Sequence, residues 1–178
     1  MNLQPLTQTP THITYRLNGS IAKPALDKIT KQYATDLHTL HGKYGYPARQ
    51  KTSPYFAAYN HEKEKLQLRY YLEFDHQMDL ANSGPMFLSD PGAKRIVIDS
   101  WEFLESKEKV KVYAICVMSN HVHVIVGSPD ESLVDLDALM ERHKTFTGYK
   151  INQLQGKIGR SVWARSAIDR TVRDGNLG

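Results

Sequence analysis

Two β-rich runs, residues 110–118 and 121–126, flank Ser119-Asn120 in this chain of 178 residues. β-Branched residues crowd both runs, and a two-residue link suits a tight turn. The pair therefore reads as an antiparallel hairpin in the centre of a sheet. Side chains alternate along a strand, so His121, His123 and Ile125 share one face while Val122, Val124 and Val126 face the core. Imidazoles two residues apart sit roughly 6 to 7 Å apart at Cβ, and their rings can converge on one ion at about 2.1 Å. Zinc, manganese and other divalent ions accept imidazole, and a rigid strand pre-orients both ligands. Spacing alone leaves a second reading open: two half-exposed histidines beside a core strand, since two ligands do not complete a site.

The rest of the chain supplies a frame for this hairpin. Residues 11–17 read as a first strand, with Ile13, Tyr15 and Leu17 alternating and Asn18-Gly19 ending it. Residues 22–41 follow as a helix carrying Ala25, Ile29, Tyr33 and Leu37 on one face, with Gly42 as its stop. A loop over 45–54 precedes a second helix, 61–80, which Asn82-Ser83-Gly84-Pro85 breaks. Asp90 caps a third helix with Pro91 at its first position, running through Ile96, Ile98, Trp101 and Leu104. After the hairpin comes a helix over 134–155, with Leu136, Leu139, His143 and Phe146 in one stripe and Gly148 weakening it. His143 there reads as a satisfied core histidine, and 161–172 as a short extended return. This order predicts an α+β sandwich with an antiparallel sheet, in one domain spanning 1–178.

Charge is unevenly placed. Residues 142–173 hold eight Lys or Arg against one acid, Asp169, a net of +7, while the remainder of the chain carries −3. A basic C-terminal third suggests a polyanionic partner, because each neutralised phosphate releases counterions; a solvated basic helix face is the other reading. No apolar run reaches the length a membrane span needs, and the N-terminal ten residues are uncharged and polar. Cys116 is the only cysteine, which excludes an internal disulfide and a cysteine-based zinc site. These features predict a cytoplasmic protein without a membrane partner.

The residues around the histidines carry a resemblance. Met118-Ser119-Asn120-His121-Val122-His123, followed by an aliphatic run, is similar to the histidine-hydrophobic-histidine motif of the IS200-like tyrosine transposases. The chain resembles most closely the REP-associated members of that family. Thr14 to Ser20, Gly84-Pro85-Met86-Phe87-Leu88, Lys144-Thr145-Phe146-Thr147 with Ile151-Asn152, Trp163, Asp169-Arg170 and Val172-Arg173-Asp174 match its segments in order. The resemblance implies a ferredoxin-like fold and a site at His121 and His123 for a divalent ion, magnesium or manganese. It also implies single-stranded or hairpin DNA as partner, and a tyrosine that attacks the scissile phosphate. A phenol is a weak nucleophile until deprotonated, and an ion beside the phosphate stabilises the charge that develops.

One element of the family pattern is absent. A Tyr-Ile-x-x-Asn-Pro helix is expected after the Arg-Asp element, yet the chain reads Val172-Arg173-Asp174-Gly175-Asn176-Leu177-Gly178 and ends. Tyr149, the only tyrosine downstream of the histidines, becomes the candidate nucleophile, with an amphipathic-helix tyrosine or a base-stacking platform as its other readings. Arg142, Lys144, Lys150, Arg160, Arg165, Arg170 and Arg173 are the candidate DNA contacts. Trp163 reads as a core anchor first and a stacking surface second. The expectation is a transposase-type protein, monomer or homodimer, truncated or inactive. The alternatives are a non-catalytic hairpin-DNA-binding module and a structural α+β protein with adventitious metal.

Overall fold

A computed structural model describes residues 3–45, 49–80, 84–130 and 133–172, which form two compact units. Unit 2, Ile21–Gly84, is helical. Its helices are α1 (Lys23–Tyr44) and α2 (Phe56–Asp79), which pack around Leu40, Tyr59 and Leu66. α1 runs through Gly42, which tolerates helical angles, and stops where Gly45 takes φ 70°. α2 begins five residues before the expected start, because Tyr59 is drawn into that core and the preceding turn is helical. Lys43 Nζ and the Tyr44 hydroxyl both donate to Glu62, at 2.7 Å each, and tie the two helices together.

Unit 1, Met1–Ser20 with Pro85–Gly178, holds the sheet. Its elements are β1 (Thr11–Leu17), α3 (Pro91–Lys107), β2 (Lys111–Val117), β3 (His121–Gly127), α4 (Leu136–Leu154) and β4 (Trp163–Thr171). The strands lie in the order β2-β3-β1-β4, with every neighbouring pair antiparallel. This β-α-β-β-α-β order with β3 inserted beside β1 is the ferredoxin-like arrangement, an α+β fold. The helices start where the sequence supplies caps: Asp90 Oδ1 accepts from Gly92 N–H at 2.7 Å, and Asp135 Oδ1 accepts from Ala138 N–H at 3.1 Å. Among the described residues, no helix is long and apolar enough to cross a membrane.

Register sorts the sheet into two faces. Ile13 faces Val124, Tyr15 faces Val122 and Thr11 faces Val126, so these side chains lie together under α3 and α4. Thr14 stands opposite His123, and Arg16 opposite His121, on the reverse face. The Ser119-Asn120 link is a two-residue loop closed by Met118 N–H to His121 O at 2.9 Å. Neither residue has the positive φ that two-residue hairpins favour. Their carbonyls are instead fixed by neighbours, Asn120 O by Leu17 N–H (2.8 Å) and Ser119 O by Leu88 N–H (3.1 Å).

A polar chain runs through the apolar core. The Trp101 indole N–H donates to the Tyr15 oxygen at 3.0 Å, so the single phenolic proton is left for His143 Nε2, 2.7 Å away. His143 Nδ1–H then donates to Ser100 Oγ at 2.9 Å. Trp163 joins the same core, its N–H donating to Thr147 Oγ1 at 2.9 Å and its ring 5.0 Å from that of Tyr15. Each polar group in this chain is satisfied, which is what burial demands.

Candidate functional site

β3 and β1 build the site on the sheet face opposite α3 and α4. His121 is 2 % exposed, and its Nδ1 donates to Asn120 Oδ1 at 2.6 Å. That bond places the lone pair of His121 on Nε2, which points at His123 Nε2 across 2.9 Å. The two rings stand edge to face, with centroids 4.7 Å apart. The outer nitrogen of His123 is within 3.0 Å of Thr14 Oγ1 and 3.1 Å of His12 Nε2. Both rings are therefore oriented from behind, as ligating histidines are in metal centres.

The pair fits a cation. Two nitrogens held at about 2.1 Å and at right angles to one ion lie ~3.0 Å apart, close to the separation present. Ligation requires the His123 proton to reside on Nδ1, where Thr14 and His12 offer acceptors. His12 stays neutral, since burial first, then the charges of His123 and Arg170, push its pKa down to about 4. No group of three or more His, Cys, Asp or Glu that could hold an ion occurs among the described residues. Remaining coordination would fall to water or to a phosphate oxygen.

His12, Thr14 and Asn120 were not singled out from the sequence. Alternation along β1 carries the signal for two of them: with Ile13, Tyr15 and Leu17 on the core face, His12, Thr14 and Arg16 must take the opposite face of the sheet. Only the register reveals that this row meets the histidines of β3. Two cations share the face. Arg16 lies opposite His121, and Arg170, expected as a DNA contact, lies opposite His12.

The other candidates sit elsewhere. A groove of about 630 Å³ runs between α4 and the segment 160–165, lined by Tyr149, Asn152, Arg160 and Arg165 together with the acids Asp135, Asp137 and Glu141. Tyr149 is 65 % exposed there. α4 packs on the Tyr15 face, so the sheet stands between Tyr149 and the histidine pair, contrary to what a nucleophile at that site requires. Trp163 is buried as a core anchor. Lys144 Nζ donates to the carbonyls of Ala164 (3.0 Å), Ser166 (3.3 Å) and Arg165 (3.4 Å); burial, then Arg16, lowers its pKa to about 8. Arg142 pairs with Glu108 at 3.1 Å, and Arg160 with Asn152 and Gln155. Lys150, Arg165 and Arg170 are exposed, while Arg173 lies outside the described residues.

Comparison with known proteins bears on the segment that carries these features. No curated protein matches the chain. One solved structure, described as the REP associates tyrosine transposase bound to a REP hairpin, is similar at 12 % identity with a TM-score of 0.39. That match covers 98 % of this chain and 62 % of the other, so the chain spans under two thirds of that protein's length. A family model described as Transposase IS200 like matches residues 88–173, which hold α3, the histidine strand, α4 and β4. Over that segment, just under half of the chain, the sequence is similar to the IS200-like transposase family.

Proposed function

We propose that the protein binds single-stranded or hairpin DNA and that His121 and His123 hold a divalent ion, magnesium or manganese, beside a DNA phosphate. The observation that carries this reading is the Nε2–Nε2 separation of 2.9 Å between two rings fixed from behind by Asn120 and Thr14. The ion, when bound, would supply positive charge to a phosphate oxygen. This chain's own part is to orient the two imidazoles, to keep His12 neutral and to set Arg16 and Arg170 on the same face. Exposed Lys150 and Arg165 offer further phosphate contacts, and Tyr149 a surface for base stacking.

Calorimetric titration with manganese tests the site. The wild-type chain should bind one ion weakly, and a variant with His121→Ala and His123→Ala should bind none. Unchanged binding in that variant would remove the site. A second reading, a DNA-binding module without cleavage, is favoured by the placement of Tyr149 on the far face of the sheet. A covalent protein–DNA adduct with manganese and hairpin oligonucleotides would exclude it.

A further inference from the structure

α4 ends at Leu154, and the four residues 156–159 form a loop with a rigid base and a bare tip. Gly156 (φ 60°) and Gly159 (φ 68°) both take the left-handed conformation, which turns the chain out and back within two intervening residues. Asn152 closes the base from both sides. Its carbonyl accepts from Lys157 N–H at 2.8 Å, its amide donates to Arg160 O at 2.8 Å, and its Oδ1 accepts from Arg160 Nε at 3.1 Å. Arg160 is held further by Gln155 Oε1 at 2.7 Å and by the Phe87 ring, 4.1 Å from its guanidinium. The residue presented at the tip is Ile158, 100 % exposed, with Lys157 exposed beside it.

A single exposed apolar side chain is ordinary. A fully exposed one on a clamped, glycine-flanked tip, with a lysine next to it and the Tyr149–Arg165 groove behind it, is not. One isoleucine is too small for a protein-docking patch, and the exposed Lys157 beside it suits a polyanion. Isoleucine is among the side chains that proteins push between stacked bases. We infer that Ile158 is a wedge that enters an opened base step of bound DNA while Lys157, next to it in the chain, holds a neighbouring phosphate. The wedge rests on the DNA-binding reading above, and it adds the point at which the strand is unstacked.

The test uses the full chain and a hairpin oligonucleotide carrying 2-aminopurine at its stem–loop junction, followed by fluorescence intensity and, separately, by anisotropy. Wild-type protein should raise the intensity at least about twofold as the base unstacks. Ile158→Ser should abolish that rise while anisotropy reports binding within about threefold of wild type and an unchanged salt slope; Ile158→Leu should keep the rise. Binding without a rise in the wild type, or a full rise in Ile158→Ser, would overturn the wedge and leave DNA binding standing. Absence of binding by anisotropy would overturn the DNA reading itself, and the wedge with it.

Discussion

The Tyr15 hydroxyl donates to His143 Nε2 at 2.7 Å, with both side chains buried in the core. Burial, then the Lys144 charge, pushes the His143 pKa down to about 3, and burial raises the Tyr15 phenol well above its ordinary value. A histidine kept neutral in the fold but basic in the unfolded chain makes stability depend on acidity. The unfolded state binds the extra proton, so stability is whole above pH ~6.5 and is lost as pH falls towards 3. Thermal melts between pH 7 and 4 should show this decline. His143→Leu should start lower at pH 7, by about 2 to 4 kcal/mol for the broken bonds, and should decline less on acidification. Parallel curves for the two proteins would rule the linkage out.

Asn120 acts on the ion only through His121. Asn120→Ala keeps both imidazoles but frees the ring of His121 to rotate and change tautomer. Manganese affinity should fall by about 10- to 100-fold without loss of the fold, read by calorimetry alongside circular dichroism. Affinity equal to wild type would mean that the strand alone orients the ring.

The basic residues of 142–173 should separate into two kinds. Lys150→Ala with Arg165→Ala should lower the slope of log affinity against log salt by up to about two, since both side chains are exposed. Lys144→Ala should instead lower the melting temperature, because its ammonium serves three carbonyls at β4. A slope change for Lys144→Ala with no change in melting would reverse that assignment.

Tyr149 should matter to binding and not to bond cleavage. Tyr149→Ala should weaken single-strand binding by about 1 to 3 kcal/mol through lost stacking, and Tyr149→Phe should leave it intact. Any manganese-dependent adduct should survive Tyr149→Phe, because the phenol and the histidine pair lie on opposite faces of the sheet. Loss of an adduct in Tyr149→Phe would show that α4 can bring its tyrosine to the ion.

Alternation fixed much of this protein in its sequence. β1 is read to the residue from Ile13, Tyr15 and Leu17, and the facing of His121 and His123 follows from a period of two that no packing can change. The helix start at Asp90 is equally local, because a cap is a contact between near neighbours; the next helix, read from residue 134, is capped by Asp135. Three things were decided only in three dimensions. His12 and Thr14 reach His123 across more than a hundred residues, through a register that a single strand does not encode. α2 begins early because Tyr59 finds a core supplied by another helix. The charged run 142–173 divides into Lys144 and Arg160, spent on the fold, and Lys150 and Arg165, left to solvent. Charge can be counted along a chain, but what each charge touches depends on which elements the whole chain brings beside it.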